Sequence, residues 1–224
     1  MKLKAILRLE NGMEFHGYSF GSAKAASGEV VFNTSMVGYP EQLTDPTYNA
    51  QILCLTYPLI GNYGVPSEEL MAENLSLKLE SEKIQVSGLV VFDYCDDYSN
   101  WEAVKSLDTW MKEQGVCGIY GIDTRELTKL LRDKGSMTGC IIPEGAADPA
   151  ESVKPSPEAV SCRSVIVYPA QPADEVENAN GSKAATANGK KVVLVDCGVR
   201  HSILRSLISR GLEVIRVPYD YDFT

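Results

Sequence analysis

Histidine is scarce in this chain of 224 residues: there are two, His16 and His201. A metal centre or a general base built on imidazole has little to draw on. The six cysteines, at 54, 95, 117, 140, 162 and 197, form no Cys-x-x-Cys pair, which argues against a zinc ribbon. Several sit in apolar runs such as Gln51-Ile52-Leu53-Cys54-Leu55, which fits reduced, mostly buried thiols better than a disulfide framework. No stretch concentrates Lys and Arg, and 21 basic against 30 acidic residues leave a formal charge of −9, so a nucleic-acid partner is not expected. No apolar run approaches the roughly 18 residues of a membrane span, and the opening residues interleave Lys2, Lys4 and Arg8 with apolar neighbours, unlike a secretory leader. The expectation is a cytoplasmic protein with no membrane partner.

Punctuation and alternation carry the rest. Lys4 to Leu9 alternates, Asn11-Gly12 is a strong hairpin signal, and Glu14 to Phe20 resumes the extended pattern. Gly28 to Thr34 and Gln51 to Tyr57 read as strands, and the Gly-, Pro- and Asp-containing stretch from Val37 to Tyr48 between them reads as a loop too polar for the core. A helix is expected over 70–79, a β-rich run over 84–92, and a second helix over 101–113 with Val104, Leu107, Trp110 and Met111 on one face. Asp123, with Glu126 three residues on, marks a helix start; Leu127, Leu130 and Leu131 form its buried stripe, and Gly135 ends it.

From 168 to 190 the composition turns to Ala, Asn, Pro, Ser and Glu without apolar period, as in a solvated linker. Lys191 to Asp196 then reads as a strand buried on both faces. Cys197-Gly198 turns, 200–210 places Ile203, Leu204, Leu207 and Ile208 at helical spacing, and Glu213 to Val217 is a second strand. This βαβ unit would open a doubly wound sheet, and two strands with one helix cannot cover their own apolar faces. The expected fold class is therefore α/β: a mixed α+β domain over 1–167, a linker over 168–190, and an incomplete doubly wound, flavodoxin-like domain over 191–224.

Each candidate for chemistry has a plain structural counterpart. Cys197, after a strand and before a helix, has a position that suits a thiolate, yet it also suits a small residue in a tight turn. His201 lies four residues on, so a Cys197–His201 dyad is conceivable; a solvated histidine on the helix surface is the simpler expectation. The segment Thr44-Asp45-Pro46-Thr47-Tyr48 could hold a small polar ligand or merely form an Asx-type turn. Leu59-Ile60-Gly61-Asn62-Tyr63-Gly64 lacks the spacing and the lysine of a phosphate loop. Asp93, Asp96 and Asp97 lack the Gly and terminal Glu of a calcium loop and read as a solvated acidic turn.

Several longer stretches, in order, resemble the small (glutamine-handling) subunit of carbamoyl phosphate synthetase. They are Gly28 to Thr34, Gly38-Tyr39-Pro40-Glu41, Leu43-Thr44-Asp45-Pro46, Leu55 to Gly64, and Gly121 to Thr128. Val195-Asp196-Cys197-Gly198 is similar to the opening of that family's class I glutamine amidotransferase domain, where the position of Cys197 is not the nucleophile. The wording Tyr57-Pro58-Leu59-Ile60-Gly61-Asn62-Tyr63-Gly64 leans toward the form fused into large eukaryotic polypeptides.

The resemblance implies glutamine hydrolysis by a cysteine and a His-Glu pair that would lie downstream of Thr224. The released ammonia would pass to a large subunit, or a fused synthetase region, that uses ATP and Mg. It assigns no catalytic residue, metal or cofactor to this stretch, and one glutamine contact, Thr47, where the family usually has Ser. The 224-residue chain is expected to be inactive alone. A non-catalytic module that docks a synthetase, and the start of a flavin- or nucleotide-binding domain, are the competing expectations.

Overall fold

The computed structural model describes residues 2–149, 154–170 and 189–224. The chain packs as two units: one from 1–67 and 83–155, the other from 68–82 and 156–224. This grouping differs from the linear division expected at 167, since 68–82 and the segment from 156 pack with the carboxy-terminal elements. The expected linker falls mostly on 171–188, outside the described residues, and its first residue, Tyr168, is a buried strand residue.

The strands are β1 (Lys4–Leu9), β2 (Glu14–Gly21), β3 (Ala26–Asn33), β4 (Gln51–Leu55), β5 (Leu59–Ile60), β6 (Val65–Pro66), β7 (Gly88–Val90), β8 (Asp93–Tyr94), β9 (Ala103–Lys105), β10 (Cys117–Tyr120), β11 (Met137–Pro143), β12 (Ile166–Tyr168), β13 (Lys191–Asp196) and β14 (Glu213–Pro218). The helices are α1 (Tyr39–Thr44), α2 (Leu107–Glu113), α3 (Thr124–Lys134), α4 (Pro157–Val160) and α5 (His201–Ile208), with 3-10 turns at Pro46–Tyr48 and Ala72–Asn74. This is the mixed α and β content expected. Among the described residues no helix is long and apolar enough to cross a membrane.

The first unit is built on a closed barrel in the order β1-β11-β3-β4-β7-β10-β2. Closure removes the exposed sheet edges that an open sheet must protect. The β1–β2 hairpin forms where Asn11-Gly12 predicts it, with Gly12 at φ 82 and Asn11 Oδ1 accepting the Met13 N–H at 3.0 Å. Ala5, Leu7 and Leu9, alternate residues of β1, enter a core shared with Ile52, Val90, Ile119 and Ile141. Helix α3 adds Leu127 and Leu131 to that core, with Leu130 partly buried beside it. Asp123 accepts the Glu126 N–H at 2.9 Å, and Gly135 follows the helix at φ 91, so both predicted boundaries hold.

Three local expectations are corrected. The helix expected over 101–113 begins only at Leu107, because Ser106 Oγ caps it by accepting the Thr109 N–H at 3.2 Å. Ala103–Lys105 instead pairs with β6, leaving Val104 exposed and Trp101 91% exposed, while Leu107, Trp110 and Met111 are buried. Helix 70–79 is absent: Glu73 and Asn74 take positive φ, and the Ser76 N–H goes to His201 Nδ1 instead of an i−4 carbonyl. The polar stretch 37–48 does enter the core through α1, since its polar groups find partners there. Tyr39 Oη donates to the Gly64 carbonyl at 2.6 Å, and the Tyr39 and Tyr63 rings stack at 4.2 Å.

In the second unit β14 lies between β12, antiparallel to it, and β13, parallel to it. Helix α5 connects the parallel pair and packs Leu204 and Ile208 with Leu75, Tyr168 and Val214. β13 is not buried on both faces as expected. Val193 (53% exposed) and Val195 (45%) share an open face with Val167 (48%), which the register aligns through Ile215. α5 covers one side of this small sheet, and no other described element of the second unit covers the other.

Candidate functional site

Pro46 fixes a rigid start for the 3-10 turn, and the Asp45 carboxylate closes it. Asp45 Oδ1 accepts both the Thr47 N–H, at 2.9 Å, and the Thr47 hydroxyl, at 2.8 Å. The Asx-type turn and the ligand contact proposed for Thr47 are therefore compatible, because the turn is what orients the hydroxyl. Asp45 is buried and Thr47 exposed. With its proton given to Asp45, the Thr47 oxygen keeps lone pairs that can accept a further hydrogen bond. Tyr48 Oη accepts from Asn33 Nδ2 at 2.9 Å, tying the far side of the turn to β3.

The stretch Leu59 to Gly64 has a steric reason for its glycines. Gly61 sits at φ 101, and a Cβ there would meet the Cys95 carbonyl oxygen and the Tyr94 ring. Tyr63 Oη accepts the N–H groups of Gly38 and Tyr39 at 2.8 and 2.9 Å, so this stretch braces the start of α1. Burial raises the Tyr63 phenol, with the accepted N–H bonds pulling the other way. A cleft of about 380 Å³ lies beside it, lined by Val37, Gly38, Pro40, Glu41, Tyr63 and Ala103 among others. Asp93 and Asp96 serve the local turn: Asp93 accepts the Tyr94 N–H and Asp96 the Tyr94 hydroxyl. Among the described residues no group of three or more His, Cys, Asp and Glu is placed to hold a metal ion.

Cys197 and His201 fall in the second unit and do not form a dyad. Cys197 is exposed. His201, expected in solvent, is 1% exposed; its Nδ1 accepts the Ser76 N–H at 3.0 Å and its Nε2 stands 3.5 Å from Glu82 Oε1. Nδ1 is thus committed to Ser76, and buried Nε2 makes no hydrogen bond. The missing signal was the partner segment 68–82, which no helical period could place beside α5. His16, the other histidine, is exposed on β2.

The buried expectation for the cysteines holds for Cys54 and Cys117, whose thiols burial pushes up to about 12. Cys95, Cys140 and Cys162 are half-buried.

Asp196 and Arg216 form a buried pair that no local sequence pattern marks. Asp196 is 0% exposed and accepts from Arg216 Nε at 2.7 Å and from the N–H groups of Cys162, Gly198 and Val199 at 2.6, 3.0 and 2.9 Å. Burial alone would raise its carboxyl; the Val199 N–H, the Arg216 charge and the other donors outweigh that and hold it below the usual range. An Arg inside the apolar run Val214-Ile215-Arg216-Val217, after a strand ending in Asp, was the available clue. The cluster joins the ends of β13 and β14 to the segment before β12, which makes it a structural hub at the strand–helix turn.

A barrel unit carrying an exposed hydroxyl turn, followed by a strand–helix–strand unit, defines a mixed α/β protein. The family described as carbamoyl-phosphate synthase small chain, CPSase domain, matches residues 7–141, and the chain belongs to that family. It is 46% identical over 221 residues to carbamoyl-phosphate synthase [ammonia], mitochondrial, of Homo sapiens, covering 96% of this chain and 14% of that one. To the carbamoyl phosphate synthase arginine-specific small chain of Eremothecium gossypii it is 45% identical over 224 residues, covering 98% and 53%. To multifunctional protein URA2 of Saccharomyces cerevisiae it is 40% identical over 238 residues, covering 97% and 11%. The chain thus spans about half of the small chain and a small fraction of the larger proteins. Among solved structures, an aminopeptidase from Aneurinibacillus sp. strain AM-1 aligns at TM-score 0.31 and 9% identity over 97% of this chain and 48% of that one, too distant to argue from.

Proposed function

We propose that this chain is the amino-terminal part of the glutamine-hydrolysing subunit or region of a carbamoyl phosphate synthetase, supplying ammonia to a synthetase portion that consumes bicarbonate and ATP. The observation that carries this is the alignment to the arginine-specific small chain, which runs across 98% of the chain and so through both units. The parallel pair β13–β14 joined by α5, with its open Val193–Val195 face, supports the finer proposal that the second unit begins a doubly wound amidotransferase-type domain. Further strands and helices of the longer protein would cover that face. A cytoplasmic location, with a large subunit or fused synthetase region as partner, belongs to the same proposal.

In this account Thr47 receives an N–H group of bound glutamine, because its own proton is taken by Asp45. Free ammonia at neutral pH is largely ammonium, a poor nucleophile, so hydrolysis next to a closed path delivers the reactive form to its acceptor.

A second reading is a docking module in a protein that never uses glutamine. The relative whose printed name specifies ammonia favours it. Glutaminase assays on the protein at the length of its small-chain relative separate the two. Hydrolysis is expected there, with Thr47→Ala raising KM about fivefold, as one hydrogen bond of about 1 kcal/mol would, and Thr47→Ser leaving it near the parent value. An unchanged KM in Thr47→Ala removes Thr47 from the site, and no hydrolysis at all leaves the docking module.

A further inference from the structure

His201 is the one imidazole withdrawn from solvent, and its two nitrogens do different work. Nδ1 accepts the backbone N–H of Ser76 at 3.0 Å, so in the neutral ring the proton sits on Nε2, which is buried 3.5 Å from Glu82 Oε1 without a hydrogen bond to it. Around it the segment 68–82 is fastened to the first turns of α5. The Glu80 carbonyl accepts the His201 N–H at 2.9 Å, Glu80 Oε2 accepts the Ser202 N–H at 2.9 Å, and Arg205 donates to the Ser76 and Leu79 carbonyls at 2.5 and 3.0 Å.

We propose that His201 is a proton-operated latch: neutral, it holds segment 68–82 on α5, and doubly protonated, it releases the Ser76 end of that segment. A proton taken from solvent onto Nδ1 removes the lone pair that Ser76 uses and sets two N–H donors against each other. The protonated ring keeps an attractive partner in Glu82, so the ring stays while Ser76 leaves.

The charged groups facing the site act on this balance from each neighbouring element. Glu82 and Glu80 lie on the segment itself, Arg205 on α5 stands 3.6 Å from Glu80, and Arg216 on β14 acts on Glu82. Tyr168 on β12 is paired with Arg216. Nearby His201 and, more weakly, Arg216 hold the Glu82 carboxyl below its usual range against its burial. The segment enters and leaves the second unit by covalent connection at both ends, and releasing Ser76 frees a loop without breaking the chain. This inference does not depend on glutamine hydrolysis.

The chain has two histidines, so nitrogen NMR on the 224-residue protein resolves both, with exposed His16 as the internal reference. At about pH 8 the latch requires His201 protonated on Nε2 alone. As pH is lowered from about 8 to about 5.5, a range in which most carboxylates stay ionised, the Ser76 amide protection factor is expected to fall at least about tenfold in step with any protonation of His201 that the nitrogen shifts report. Amides of β1 and β11 should keep theirs. His201→Asn offers an amide oxygen in place of Nδ1 and does not titrate, so Ser76 should stay protected at both pH values. The proposal is overturned by a neutral ring protonated on Nδ1, by His201 staying neutral down to about pH 5.5, or by Ser76 protection that does not move as His201 titrates.

Discussion

Replacing Arg216 with Leu is expected to destabilise the second unit by about 3 kcal/mol, the low end of what breaking a buried ion pair costs. Asp196 would remain buried without its counter-charge, since Arg216 Nη2 and Nε approach it at 2.6 and 2.7 Å. The low end applies because three backbone N–H groups would still solvate the carboxylate. Hydrogen exchange of the β13 and β14 amides reads this directly, which matters in a chain of two units where one global midpoint need not describe both. The acid side follows with its sign. The folded Asp196 carboxyl lies below its ordinary value, so its contribution is fully present above the unfolded pKa and is lost as pH falls through the folded one. In Arg216→Leu that loss should begin at higher pH. Exchange rates in β13 equal to those of the parent would show that the pair is energetically idle.

Gly61→Ala is expected to destabilise the barrel unit by roughly 2–4 kcal/mol, combining backbone strain at a positive φ with a collision that cannot relax. The added methyl would strike the Cys95 carbonyl, a backbone atom held by its own pairing: the Cys95 N–H bonds the Ile60 carbonyl at 2.9 Å, and β5 pairs with β8. Gly12→Ala makes the control, since Gly12 also has positive φ but nothing lies within 4 Å of an added Cβ. Chemical denaturation of both variants separates strain from collision. Equal losses would mean the close approach at Gly61 does not matter.

What the sequence made legible follows from how local the determinants are. The β1–β2 hairpin and α3 rest on signals within ten or so residues, Asn11-Gly12 in one case and Asp123, the leucine stripe and Gly135 in the other, and both formed as expected. The misreadings are places where a distant partner decides. Ser76 is drawn from helical hydrogen bonding by His201, 125 residues on, and α1 becomes core because Tyr63 and Gly64 satisfy its polar groups. The Asp196–Arg216 pair went unseen for the same reason, although an Arg in an apolar strand hinted at it. At Thr47 the resemblance named the residue, while the structure supplied the direction of its hydroxyl.

The central claim is that the nitrogen delivered by the complete protein comes from glutamine. The direct measurement supplies that protein, together with its synthetase portion, with amide-labelled glutamine, bicarbonate and ATP in the presence of unlabelled ammonium, and follows the label into carbamoyl phosphate. Product that carries the glutamine nitrogen, little diluted by the ammonium pool, is the result this account predicts. Product formed only from free ammonium, with glutamine left intact, would contradict it.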